Sequence, residues 1–301
     1  MAFDAVRHHL FISRDMHVQV VDTRTGKLFG EVENTDGVHG FAFVQDRKLG
    51  FITNGRANTI TVIDLDTLKV IDTIKAAGPD PDGILYVPAL QRVLVSNGHD
   101  NSVSAIDVVS RKLVSTMPVG GKPEALAADS HGHVFVNVED KGEIVEMDGN
   151  AGTVLAHWSI APCEEPSGLS IDIAHERLFT VCANQRMMVI DSTSGRQVTV
   201  LPIGGHPDTA AFDPALKLAF SSNGADGTLT IVHEDDADHY TVVQNVHTAE
   251  GAKTMALDAK THRVYLVSSQ FAPADAATAD NPHPRPRVLP GTFEVLVAQK
   301  K

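Results

Sequence analysis

The sequence predicts an all-β chain folded as a seven-bladed β-propeller of four-stranded antiparallel blades. Three observations carry this: a ladder of aspartates at intervals of a little over 40 residues, four short β-type stretches per interval, and turn formers where helical periodicity would otherwise run.

The ladder consists of Asp22, Asp64, Asp107, Asp148 and Asp191, with His233 in the sixth slot, in steps of 42, 43, 41, 43 and 42 residues. A β-branched or aliphatic stretch precedes each rung, as in Thr59-Ile60-Thr61-Val62-Ile63, and another precedes that, as in Leu49-Gly50-Phe51-Ile52. Both read as strands. Turn formers and a basic residue follow the rung, as in Thr25-Gly26-Lys27 and Ser194-Gly195-Arg196, and lead into a third alternating stretch such as Gln197-Val198-Thr199-Val200. Glycine and proline then punctuate the chain, as in Gly120-Gly121-Lys122-Pro123 and Gly204-Gly205-His206-Pro207, before a small-residue strand such as Ala125-Leu126-Ala127-Ala128.

The units divide as about 2–38, 39–81, 82–123, 124–166, 167–207, 208–252 and 253–301. One ring therefore absorbs 301 residues that would otherwise read as two domains. Ala2-Phe3-Asp4 matches Ala211-Phe212-Asp213, which places the start of the chain late in a first strand, and Gly291-Thr292-Phe293-Glu294-Val295-Leu296-Val297 matches 227–233, which leaves the last blade without its fourth strand. An unpaired sheet edge invites aggregation. The expectation is that upstream residues complete the ring, that Met1 is not the natural start, and that any signal peptide preceded it. Residues 270–290 form an insertion with five prolines, expected to be a non-helical flap over one end of the ring.

The turns after the second strand resemble the YVTN-repeat β-propeller family. They are Phe51-Ile52-Thr53-Asn54-Gly55 leading to Asn58-Thr59-Ile60-Thr61-Val62-Ile63-Asp64, and Leu94-Val95-Ser96-Asn97-Gly98 leading to Asn101-Ser102-Val103-Ser104-Ala105-Ile106-Asp107. The resemblance covers nearly the whole chain, though Asp140-Lys141-Gly142 and Asn184-Gln185-Arg186 depart from it in the middle blades. It implies the fold and not a reaction. Resembling proteins are commonly exported, which implies a periplasmic or extracellular location.

Composition narrows the function classes. A formal charge of -13 with scattered basic residues disfavours nucleic acid. No apolar run approaches the ~20 residues of a membrane-spanning helix. Cys163 and Cys182 fall at the same end of one blade, which suits a disulfide; in a reducing compartment the pair would read as a soft-metal or redox site. No nucleophile elbow, phosphate loop, dinucleotide fingerprint or zinc-protease helix is present.

Propeller sites collect where the innermost strands begin, around the channel mouth. The residues in that slot are His39, Asp82, Glu124, Ser167, Asp208 and Lys253, with Glu165 just before Pro166. Arg56, His99, Glu139, Asp140, Asn184, Asn223 and Asp226 occupy adjoining loops at the same end. One reading is a binding mouth for a small polar or cationic ligand or a partner protein, with Asp82, Glu124 and Asp208 holding one divalent metal ion as cofactor. The plainer reading is a wet channel with solvated charges and a salt bridge from Lys253. The hydrolytic alternative is a lactonase, implied by related propellers, with His39 as base, Lys253 as oxyanion stabiliser and Glu124 or Glu165 as orienting group. A monomer is expected.

Several residues read as structural. Asn54, Asn97 and Asn223 precede glycine and are expected to take positive φ in tight turns, and the ladder aspartates are expected to bind turn amides. His8, His9, His131, His133 and His175 are expected to be solvated in turns, and His233-Glu234-Asp235-Asp236 to be a charged surface.

Overall fold

The computed structural model describes residues 1–273 and 287–300. Among these the chain forms six antiparallel sheets of four strands and a seventh of three, each strand paired with its neighbours in sequence. In blade two, for example, the strands run Val38–Val44, Leu49–Asn54, Thr59–Asp64 and Val70–Lys75. Blade seven comprises Met255–Asp258, Arg263–Ser268 and Glu294–Gln299. The body of the expected flap lies outside the described residues; its base is closed by a bridge between Phe271 and Val288.

The core lies between blades. Each second strand is packed on both faces and reads as a near-continuous apolar run, whereas fourth strands at the rim alternate between exposed and half-buried residues. The third residue of every second strand is large: Phe11, Phe51, Leu94, Phe135, Phe179, Phe220 and Tyr265, all buried. Each such side chain contributes roughly 1.5–3 kcal/mol on transfer from water. Ring closure comes from Leu10 and Ile12 of blade one packing on Ala256 and Tyr265 of blade seven.

The aspartate ladder works as read. Asp64 Oδ1 accepts the amides of Asp66 and Thr67 at 3.1 and 2.8 Å, and Asp148 and Asp191 cap their turns in the same way. The asparagine expectation needs correction. Positive φ falls on Asn58 and Asn101, one turn later, while Asn54, Asn97 and Asn223 end their strands. Their side-chain amides instead reach the third strand: Asn54 Nδ2 donates to Thr59 and Thr61 at 3.1 and 2.8 Å, and Asn97 and Asn223 repeat the bond pattern.

Two further expectations are overturned at the end of the ring opposite the mouth. His9 is buried and stacks on Phe29 with ring centroids 4.0 Å apart, and burial lowers its pKa. Glu234 is not a surface residue, whereas His175 keeps the solvent access expected of a turn. Glu234 is 1% exposed and meets His175 at 3.2 Å across the blade five–six seam.

Candidate functional site

The geometry of the mouth begins with irregular pairing. Register slips fall between Val38 and Phe41, Val95 and Asn97, Pro123 and Leu126, Pro166 and Leu169, and Pro207 and Thr209. These bracket His39, Asp82, Glu124, Ser167 and Asp208. A bulge re-aims the side chain it contains, and in five successive blades it turns that side chain toward the axis.

Where the inner strands converge there is little room for a Cβ. One built on Gly83 would lie 2.5 Å from the Glu124 carbonyl oxygen, and one on Gly40 would lie 2.8 Å from that of Asp82. The carbonyls of the mouth residues are then fixed from the preceding blade. Ser13 Oγ donates to His39 O at 3.0 Å, Thr53 Oγ1 to Asp82 O at 2.7 Å, and Ser96 Oγ to Glu124 O at 2.6 Å. Asn137 Nδ2 donates to Ser167 O at 2.9 Å, and Ser222 Oγ donates to Lys253 O. At these five junctions one polar side chain in the penultimate slot of a second strand thus latches the next blade's mouth residue, whereas blade five has Val181 in that slot.

The residues enclose an axial cavity of about 720 Å³, lined by His39, Asp82, Glu124, Ser167, Asp208 and Lys253, and also by Glu139, Glu165 and Lys122. Its charges are partly matched. His39 Nδ1 lies 3.4 Å from Asp82, and Lys253 Nζ donates to Asp208 at 3.1 Å, the salt bridge that the plainer reading of the mouth expects. Lys122 Nζ is shared between Glu124, at 2.8 Å, and Glu139. Glu165 has no ion pair among the described residues.

Burial dominates the electrostatics. Asp82 keeps about a third of its side chain accessible but lies within the axial cavity, packed among the other mouth residues. That burial raises its pKa, helped by Asp80 and Asp208 and opposed by His39 and Lys122. Glu124 is raised to about 7, first by burial and then by the Asp82 charge, against the pull of Lys122. Burial acts against the Lys122 ammonium, but its two carboxylates outweigh burial and hold its pKa above the ordinary value.

Comparison with known proteins agrees with this architecture. Residues 9–134 match the YNCE-like beta-propeller family. The chain fits the YVTN-type seven-bladed β-propellers. Among solved structures, the chain is similar to Kuenenia stuttgartiensis hydrazine synthase, with 18% identity over 99% of this chain and 94% of that one and a TM-score of 0.82. It is also similar to a chain in a mitotic checkpoint complex, with 12% identity, 88% and 82% coverage and a TM-score of 0.77. A third is U3-55K, with 11% identity, 88% and 86% coverage and a TM-score of 0.78. Identities this low establish the fold alone. No curated relative matches the chain.

Within this YVTN-type ring, the structure gathers His39, Asp82, Glu124, Glu139, Glu165, Asp208 and Lys253 around one cavity. Arg56 and His99 lie outside its lining. Arg56 is held by Asp15 and Asp36, both at 2.7 Å, and His99 faces Asp80 at 3.7 Å. Asp140 accepts the Lys122 amide, Asn184 binds Pro162 O, and Asp226 accepts the Gly205 amide, so these three fasten loops. Cys163 and Cys182 are joined in a disulfide with a Cα–Cα distance of 5.4 Å. Lys122 was not anticipated. The repeat offers a signal for it, because the residue before the inner-strand proline is Asp80, Lys122, Glu165 or His206, a second ring of polar groups. The serine and threonine latches are equally periodic but look like ordinary strand residues in sequence.

Proposed function

We propose that the protein is a binding module whose channel mouth takes one small cationic ligand, a divalent metal ion or an organic ammonium. The observation that supports this is the excess of carboxylates in one cavity. Asp82, Glu124, Glu139, Glu165 and Asp208 outnumber the cationic groups among the described lining residues, which are Lys122, Lys253, the Met1 amino terminus, His39 and His206, and both lysines are already paired. Buried carboxylates with raised pKa values are stabilised when a cation replaces the water they have lost. Asp82, Glu124 and Asp208 come from three blades and would supply the oxygen ligands.

The hydrolytic alternative draws less support. Lys253 is neutralised by Asp208, so the oxyanion stabiliser is not free for a carbonyl substrate, and the contact of His39 Nδ1 with Asp82 is as well explained by charge pairing as by orientation of a base. A periplasmic or extracellular location belongs to the proposal and is supported by the disulfide, since such bridges persist in oxidising compartments.

Native mass spectrometry with elemental analysis on protein purified without chelator tests the binding reading, followed by calorimetric titration with Ca²⁺, Mn²⁺ and putrescine. One equivalent of one of these probes is expected, weakened at least tenfold in E124Q and D82N. No saturable binding by any of the three, or binding indifferent to both substitutions, would remove the proposal.

A further inference from the structure

At the opposite end of the ring from the mouth, the seam between blades five and six holds a second cluster. Asp172 ends the first strand of blade five, Pro166–Asp172. His175 sits in the turn that follows, and Glu234 lies in the third strand of blade six, Thr228–Asp236. His175 Nδ1 is 2.7 Å from Asp172 Oδ2 and 3.2 Å from Glu234 Oε1. One ligand atom from each residue falls within 4.8 Å of the others.

Much of this could serve the turn alone. Asp172 Oδ1 accepts the Ala174 amide at 3.0 Å, and the same aspartate slot recurs around the ring. In the next blade Asp213 Oδ1 accepts the Ala215 amide and Asp213 Oδ2 lies 2.7 Å from His262. An aspartate–histidine pair at this end therefore needs no ligand. What sets the blade five–six seam apart is Glu234. It is 1% exposed, its Oε1 accepts a bond from Tyr240 at 3.2 Å, and its Oε2 is buried with no hydrogen-bond partner. A buried carboxylate oxygen without a donor has lost its water with nothing in return, so its retention calls for a counter-charge.

We propose that Asp172, His175 and Glu234 form a binding site for one first-row transition-metal dication of the zinc type. Two carboxylates and one imidazole make a mixed oxygen and nitrogen set that suits Zn²⁺ or Co²⁺ better than Ca²⁺, which takes more ligands and only oxygen. Ligands about 2 Å from a tetrahedral ion lie roughly 3.3 Å apart, so the spacings of His175 from the two carboxylates need only small movements.

The surroundings fit a held site with one open side. Arg177, the nearby buried cation, is occupied elsewhere. Its Nε donates to Ala237 O at 2.8 Å, and its Nη1 donates to His175 O at 2.9 Å and pairs with Asp191 at 3.0 Å. It thereby ties the His175 turn to the Ala237 turn across the seam. His175 is 36% exposed, which leaves solvent an approach to the ion.

The test uses whole protein stripped with chelator and titrated with Zn²⁺ against a chromogenic competitor. In E124Q, whose mouth is weakened for cations, one equivalent is expected, with affinity reduced at least tenfold when H175N is added, a position whose side chain is partly exposed and tolerates asparagine. H262N, which breaks the equivalent pair without a third ligand, leaves that affinity unchanged. The Co²⁺ absorption spectrum of the unsubstituted protein provides a second readout. Intense bands of a four- or five-coordinate ion are expected, and these are lost in H175N but kept in the mouth variant E124Q. Failure to compete for Zn²⁺, equal affinity in H175N, or an unchanged spectrum of the hydrated Co²⁺ ion overturns the assignment.

Discussion

Replacing Glu124 by glutamine probes the channel mouth through the pH dependence of stability. In the unfolded chain the carboxyl ionises near 4.5, whereas in the ring burial and the Asp82 charge raise it to about 7. Between those values the folded state holds a proton that the unfolded state has lost. The contribution of Glu124 is therefore complete below the unfolded pKa and disappears as pH rises through the folded one. At about 1.4 kcal/mol per pKa unit, the loss approaches ~3 kcal/mol on the alkaline side. Glutamine cannot ionise and escapes this loss, and Lys122 keeps Glu139 as a partner. Urea unfolding of both proteins at about pH 5 and pH 8 should show E124Q gaining roughly 2–3 kcal/mol on the unsubstituted protein between the two. A difference that stays constant, or that shrinks as pH rises, would refute the claim that Glu124 is ionised at a cost in the folded ring.

Two other perturbations test the scaffold. N137A removes donors to Ser167 O and the 2.9 Å bond to Thr180 in a fully buried setting, and should lower stability by about 2–4 kcal/mol, read as a shifted denaturation midpoint. Reduction of Cys163–Cys182 opens a loop of 19 residues, and unfolding with and without reductant should differ by about 3 kcal/mol.

The repeat made the ring legible because each blade restates one pattern: a turn-capping aspartate, a buried second strand and glycine or proline before the inner strand. Period and turn chemistry are local properties, so Asp64 and its equivalents could be assigned their turn amides from sequence. The mouth residues were readable for the same reason, since one slot repeated in six blades must fall on one circle. Partners across blades were not readable. The salt bridge between Lys122 and Glu139, the latch from Thr53 to Asp82 O, and the meeting of His175 with Glu234 join groups between 17 and 59 residues apart.

Burial at the ends of the ring was likewise a tertiary outcome. Glu234 is a polar residue next to a turn, which by itself predicts solvation. Only the packing of blade five against blade six removes the water and leaves Glu234 Oε2 without a donor. The sequence by itself determined the strands, their number and the face on which the mouth lies, because these follow from spacing along the chain. The charge balance of the mouth and the existence of the second cluster were decided by the closed ring, because both depend on which side chains adjacent blades bring within a few ångströms and on how much water they exclude.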